Sequence, residues 1–266
     1  MMAGPAADRW AEALATWAIP PAILGAAPES PWGFPAALFS ASAREAMLTE
    51  TPSRARAADA LGPDGSVLDV GAGAGAASLR LAPPARHITA VDASPDMLTA
   101  FAALADERQV AHDEVLGTWP AMRDAVDVAD VCVCHHVVYN VGDLHGFALA
   151  LTDRARRRVV VELTATHPQS SLNDFWRHFH QVERPEHPTA DDAISVLAEA
   201  GLEVGVDRWT SPAFNANADR EVVVSFARRR LCLPVDREPE IDALLDTSAI
   251  MEPRSMVTLW WDGAGA

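Results

Sequence analysis

The segment VLDVGAGAG at residues 67–75 constrains the fold of this chain more than any other. A short apolar strand leads directly into Gly71, Gly73 and Gly75, which stand at alternate positions. Glycine tolerates a positive φ and lets a ligand approach the main chain closely. The following SLRLA predicts a helix whose first N–H groups point at such a ligand. The segment therefore predicts a nucleotide-type site in an α/β fold.

A second apolar strand, ITAVD at 88–92, ends in Asp92, nineteen residues after Gly73. A carboxylate in that position can accept hydrogen bonds from both hydroxyls of a ribose. Two more apolar strands are predicted at 130–134 and 157–163, with helices between them. Such alternation requires a mostly parallel sheet that is covered by helices on both faces.

The last third of the chain has a different pattern. Residues 202–210 and 220–229 predict two strands joined by a polar turn. So short a connection makes the pair antiparallel. A helix near 238–246 and a candidate short strand at 256–261 complete the chain.

The composition excludes several classes of protein. The net charge of −16 leaves no broad basic face, so nucleic acid is a disfavoured partner. No stretch approaches the ~18 apolar residues of a transmembrane helix, and the N-terminus lacks the pattern of a secretory signal. Three cysteines are too few for a disulfide framework, so we expect a cytoplasmic protein. All 21 basic residues are arginine, which indicates a high-GC bacterial genome and leaves no lysine for catalysis.

Two kinds of nucleotide ligand fit the glycine segment. Gly71, Gly73 and Ala76 satisfy the dinucleotide pattern G-x-G-x-x-A, so a nicotinamide-dependent oxidoreductase is one alternative. Asp69 lies two residues before the first glycine, where its carboxylate would repel a pyrophosphate and attract a cationic amino-acid ligand. The antiparallel end also disagrees with a dinucleotide domain.

These motifs resemble those of the class I S-adenosylmethionine-dependent methyltransferases. VLDVGAGAG is similar to their first motif, AVDAS at 90–94 to their second, and DVCVCHHVVYNV at 130–141 to the strand that closes the cofactor site. The resemblance implies a Rossmann-like, doubly wound, seven-stranded sheet, mostly parallel with an antiparallel last strand. It also implies S-adenosylmethionine as cofactor. The cofactor-binding residues that it implies are Asp69, Gly71, Ala72, Gly73 and Gly75 for the methionine part, Asp92 for the ribose, and Ala93 and Met97 for the adenine.

One motif departs from that family. Its members often carry Gly-Asp after the third strand, and the best match here is Gly117-Thr118-Trp119, without the acid. We expect Trp119 to cover the adenine and backbone amides near Thr118 to read its edge. The missing acid keeps a second alternative open, a non-catalytic S-adenosylmethionine-binding module.

The candidate catalytic residues follow the strand at 130–134. His135 and His136 lie at its C-terminal end, where ligands of open parallel sheets bind. Their side chains diverge, so we expect one of them to face the transferred methyl group, and we favour His136 as the proton acceptor. His135 is also a candidate cofactor contact. Tyr139 can hydrogen-bond a substrate.

The acceptor side is predicted from two segments. We expect residues 1–62 to form a helical N-terminal lid on the methyltransferase domain at 63–266, and residues 165–189 to form an insertion over the methyl donor. The acceptor would be a small molecule methylated on oxygen or nitrogen, with RNA less favoured. The spacing of histidines in the insertion matches no standard zinc pattern, so no metal is predicted. The candidate substrate-binding residues are Trp32, Phe34, Tyr139, His167, Trp176, His178 and His180.

Overall fold

The computed structural model describes residues 4–32, 44, 46–213 and 218–265. Its centre is a seven-stranded sheet in the order β3-β2-β1-β4-β5-β7-β6. All neighbours from β3 to β5 are parallel, whereas β7 runs antiparallel to both β5 and β6. The predicted fold class is therefore confirmed. The strands are β1 (Ser66–Val70), β2 (His87–Asp92), β3 (Ala111–Leu116), β4 (Ala129–His135), β5 (Ala155–Thr164), β6 (Gly205–Ser211) and β7 (Arg254–Asp262).

Helices cover both faces of the sheet. One face packs on α3 and α4, and the other on α5, α7 and α1. β1, β4 and the second half of β5 are buried on both faces, and most of their residues are apolar. The helices are α1 (Pro5–Ala15), α2 (Pro21–Gly25), α3 (Pro52–Ala60), α4 (Pro95–Glu107), α5 (Leu144–Arg154), α6 (Asn173–His180), α7 (Ala190–Glu199), α8 (Arg220–Arg230) and α9 (Glu238–Leu245).

The helix predicted directly after the glycines is wrong. Residues 72–82 form a series of turns with one 3₁₀ turn at Leu79–Leu81. Gly73 and Gly75 both hold a positive φ, which a right-handed helix does not allow. Pro83 and Pro84 then end the segment because proline supplies no N–H.

The strand predicted at 220–229 is also wrong, because this segment is α8. The three consecutive valines at 222–224 suggested a strand, but the buried positions Val223, Ala227 and Leu231 recur every four residues. That is a helical period, and packing of this face outweighs the β propensity of valine. The partner of β6 is β7 instead, so the short strand expected at 256–261 is a central strand of nine residues.

A helical layer, here called the cap, consists of residues 167–187 and 218–252. Its α6, α8 and α9 share an apolar core with Ile19 that is separate from the two cores of the sheet. Both segments leave the sheet at the edge where β5 and β6 end and β7 begins. In the described part of the chain, no helix is both long and apolar enough to cross a membrane.

Candidate functional site

The glycine loop joins β1 to the edge where the parallel strands end. Gly71, Gly73 and Gly75 have φ values of 72°, 53° and 86°. The N–H groups of Gly71 and Ala72 both donate to the backbone oxygen of Val91, at 2.8 and 3.1 Å. A Cβ on Gly71 would lie 2.3 Å from Cγ2 of Val137, the second residue after β4. Only glycine therefore fits this close approach of β1 to β4.

Asp92, the last residue of β2, holds the glycine loop from the neighbouring strand. Its Oδ2 accepts from the N–H of Gly73 and its Oδ1 from the N–H of Ser94, both at 2.8 Å. Ser94 caps α4, with its Oγ accepting from Met97. Ala93 is exposed and Met97 is buried. The carboxylate thus joins the glycine loop to the first turn of α4.

Asp69 lies on β1 and is completely buried. Its Oδ2 accepts from the hydroxyl of Ser78 at 2.5 Å, whereas its Oδ1 has no hydrogen-bond partner among the described residues. Burial raises the pKa of Asp69 to about 7, and the nearby Asp92 adds to the rise. A buried acceptor without a donor is costly, and a cationic ligand group would satisfy it.

His135 is the last residue of β4, His136 follows it, and the two side chains have different environments. His135 is nearly buried and its Nε2 lacks a partner in the described structure. Burial lowers the pKa of His135 to about 4, so this ring is neutral near pH 7. The side chain of His136 is 46% exposed, and its backbone adopts a left-handed φ of 60°. Of the two, His136 is the one that a substrate can reach.

Glu162 on β5 connects the two histidines, and the sequence reasoning missed it. Its Oε1 lies 3.3 Å from Nε2 of His136 and its Oε2 lies 3.9 Å from Nδ1 of His135. Its Cα pairs in register with His135 and with Thr258 on β7. Thr258 shares a hydrogen bond of 2.6 Å with the hydroxyl of Ser53 on α3. An acid at the end of the apolar run VVVEL was the signal that could have identified it.

Tyr139 and His167 are held by other parts of the fold. The hydroxyl of Tyr139 donates to the backbone oxygen of Thr164 at 2.9 Å, and its ring stacks on Trp10. His167 is buried and stacks on Trp17 with ring centroids 3.8 Å apart. These contacts give both side chains a packing role, and they do not join the two histidines of β4.

The predicted residues on α6 tie the cap together. Trp176 is fully buried and lies under the guanidinium of Arg184 at 4.9 Å. His180 Nε2 lies 2.7 Å from the backbone oxygen of Leu231, and His178 Nε2 lies 2.8 Å from Oε1 of Glu240. The contacts of His178 and His180 link the two segments of the cap.

The remaining candidates are Trp32, Phe34, Thr118 and Trp119. Trp32 is 47% exposed, with the guanidinium of Arg230 5.9 Å from its ring, and Phe34 lies outside the described residues. Thr118 is exposed, whereas the buried indole N–H of Trp119 finds no described partner. In the ranges that the structure describes, no group of three His, Cys, Asp or Glu side chains could hold a metal ion.

Comparison with known proteins agrees with the fold. Residues 67–157 match the family model described as a methyltransferase domain. No curated protein sequence matches the chain. YcgJ from Bacillus subtilis has a similar fold, with a TM-score of 0.53, 18% identity, and coverage of 79% of this chain and 97% of YcgJ. Magnesium protoporphyrin IX methyltransferase from Synechocystis PCC 6803, with bound SAH, gives a TM-score of 0.51 and 13% identity over 86% of this chain and 84% of its own.

Proposed function

Because residues 67–157 match the model of a methyltransferase domain, we propose that the chain is a class I S-adenosylmethionine-dependent methyltransferase and that it methylates an oxygen or nitrogen of a small-molecule acceptor. The observation that carries the proposal is the wholly buried Oδ1 of Asp69, unpartnered in the described structure, beside the glycine loop. A dinucleotide would bring a pyrophosphate to this carboxylate, whereas S-adenosylmethionine brings an ammonium group. When bound, the cofactor supplies an electrophilic methyl group on a sulfonium.

The residues that would hold the cofactor lie along the ends of β1, β2 and β3. Asp69 would receive the methionine ammonium, and the loop Gly71–Gly75 would receive the rest of the methionine part. Asp92 would accept from the ribose hydroxyls, in exchange for or in addition to its backbone donors. Ala93, Met97, Thr118 and Trp119 would surround the adenine, with the indole N–H of Trp119 available as a donor.

The acceptor would bind beyond the end of β4, between His136 and the cap. His136 is 46% exposed, so its imidazole can take the proton that a hydroxyl or amine loses on methylation. Trp32 and the cap would exclude water and orient the acceptor, which is most of what an in-line displacement requires. The net charge of −16 favours a neutral or cationic small molecule over a polyanion.

The test has two stages. Calorimetry with S-adenosylmethionine, S-adenosylhomocysteine and NAD should give binding of the first two only. A panel of small phenols, alcohols, carboxylic acids and amines is then screened by formation of S-adenosylhomocysteine, with His136→Ala as the catalytic variant. We expect His136→Ala to lower turnover about 100-fold while cofactor affinity stays within about twofold. Cofactor binding without methylation of any acceptor would support a non-catalytic binding module instead.

A further inference from the structure

We propose that Glu162 is a positioning residue that holds His136 as the Nε2–H tautomer, so that Nδ1 carries the lone pair that takes the acceptor's proton. This inference rests on the proposed function of His136. Oε1 of Glu162 lies 3.3 Å from Nε2 of His136. A carboxylate at that distance attracts a ring nitrogen that carries a proton and repels the lone pair of one that does not.

Glu162 also holds the backbone of His136. The N–H of His136 donates to the backbone oxygen of Glu162 at 2.7 Å, so main chain and side chain of one residue fix the other. His136 follows β4 with a φ of 60°, a conformation that costs a non-glycine residue about 1 kcal/mol or more. A structural turn at this point would favour glycine or asparagine. A half-exposed histidine kept in a left-handed conformation and held at two points indicates a functional constraint on its ring.

The second carboxylate oxygen supports the same reading. Oε2 of Glu162 is buried and has no hydrogen-bond partner within the described ranges. The whole residue is only 6% exposed. This oxygen lies 3.9 Å from Nδ1 of His135, so the two oxygens of Glu162 are each directed at one of the histidines at the end of β4.

The surroundings of Glu162 keep it ionised. Burial by itself would raise its pKa, but the facing His135 and His136 and the hydroxyl of Ser53 outweigh burial and hold the pKa of Glu162 below its usual range. Arg80, in the turn after the glycine loop, and Arg254, at the start of β7, also interact electrostatically with this carboxylate. His135 itself is buried and neutral near pH 7. The negative charge is therefore available to the ring of His136.

The test does not need an identified acceptor. Long-range ¹H–¹⁵N NMR spectra of the ¹⁵N-labelled full chain, at an alkaline pH where imidazoles are neutral, distinguish the two tautomers of each ring. The His136 signals are assigned by their loss in His136→Ala. We expect the Nε2–H tautomer in the wild-type protein and a mixture of tautomers in Glu162→Gln. An Nδ1–H tautomer in the wild-type protein would overturn the proposal, even where Glu162→Gln does not fold.

A kinetic test follows with any acceptor that the screen provides. Glu162→Gln should lower kcat by about tenfold or more, leave the KM for the acceptor within about threefold, and leave cofactor affinity unchanged. In the His136→Ala background the same substitution should have no further effect on kcat. Glu162→Asp should restore part of the activity. The matched control is Glu114→Gln, which removes a carboxylate beside His112 on the edge strand β3.

The outcomes separate the two proposals. Full activity of His136→Ala would contradict the proposed role of His136 and, with it, this inference. The other outcome is a large loss of kcat in His136→Ala and a further loss when Glu162→Gln is added to that variant. It would leave His136 as the base and reject Glu162 as its positioning residue.

Discussion

The carboxylate of Asp92 accepts a hydrogen bond from the backbone N–H of Gly73 across a distance of 2.8 Å. This contact joins the end of β2 to the middle of the glycine loop, nineteen residues earlier in the chain. The same carboxylate also accepts from the N–H of Ser94. Asp92 therefore orders the glycine loop and presents its carboxylate beside that loop, where we propose that the ribose binds.

Asp92→Ala should remove most of the affinity for S-adenosylmethionine. The substitution deletes the ribose acceptor and frees the loop, and charge-assisted hydrogen bonds of this kind contribute about 2–4 kcal/mol together. Calorimetry should show a dissociation constant at least about 30-fold higher. The control Asp96→Asn changes an exposed acid in the first turn of α4 and should bind normally. Normal binding by Asp92→Ala would contradict this assignment.

Local patterns predicted the parallel strands around the glycine loop well. Contiguous apolar runs predict β1, β2, β4 and β5, and the structure has a strand at each of them. Only contacts between distant segments determine the rest. The hydroxyl of Tyr139 is held by the backbone of Thr164, and Glu162 meets His136 because β5 pairs with β4. A single sequence contains no signal for either pairing.

The cap shows a second limit of local patterns. Three consecutive valines favour a strand, and only packing against α6 and α9 makes residues 220–230 a helix. The strand at 254–262 has a central place in the sheet, although β5 precedes it by about 90 residues of chain. Burial on both faces makes this strand apolar. A short apolar run does not by itself show whether its strand lies inside the sheet or at an edge.

Gly71→Ala should damage the glycine loop. The added methyl group would lie 2.3 Å from Cγ2 of Val137, and the φ of 72° disfavours any side chain. Strain and clash together should cost about 2–4 kcal/mol of the free energy of unfolding and greatly weaken cofactor binding. Denaturant unfolding and calorimetry measure both effects. The matched control is Gly142→Ala, where no heavy atom lies within 4 Å of the new Cβ. Equal stability of the two variants would show that the loop tolerates a side chain.

Binding of S-adenosylmethionine should release a proton near and below pH 7. Burial raises the pKa of Asp69 to about 7, so part of the free protein carries a protonated carboxyl group at pH 6 to 7. A cationic ammonium group favours the ionised form, so affinity should rise with pH up to about 7 and then level off. Calorimetry in two buffers of different ionisation enthalpy counts the released protons.

Asp69→Asn should bind the cofactor weakly at every pH and release no proton. Asp64→Asn, which changes a carboxylate beside Arg86 at the surface, is the control. The raised pKa of Asp69 affects folding in the opposite direction: cofactor affinity rises with pH, whereas the free energy of unfolding of the free protein falls. The stability that it contributes is fully present below about pH 3.8 and is lost as the pH rises through 7. Binding that releases no proton at pH 6 would argue against an ammonium group at Asp69.

Two buried histidines should make the protein sensitive to acid. Burial lowers the pKa of His167 to about 3, with Arg184 adding to the effect, and burial lowers the pKa of His135 to about 4. Each is neutral in the fold and protonates in the unfolded chain as the pH falls below about 6.5. A depressed histidine pKa therefore contributes stability that is present above pH 6.5 and is lost as the pH falls. The loss is about 1.4 kcal/mol per pH unit for each histidine, down to its folded pKa.

His167→Phe removes the larger of these two pH-dependent contributions to stability. Phenylalanine retains an aromatic ring against Trp17, whose centroid lies 3.8 Å from that of His167, but it removes the titrating nitrogen. It also removes the acceptor for the N–H of Gln169, so the variant should be about 1 kcal/mol less stable at pH 7. Between pH 6 and pH 4 its free energy of unfolding should fall less steeply, so the difference should shrink and then reverse. The control His187→Gln, at an exposed histidine whose pKa is raised by Asp192, should not flatten the profile. Parallel profiles for His167→Phe and the wild-type protein between pH 4 and 6 would mean that burial does not hold His167 neutral in the fold.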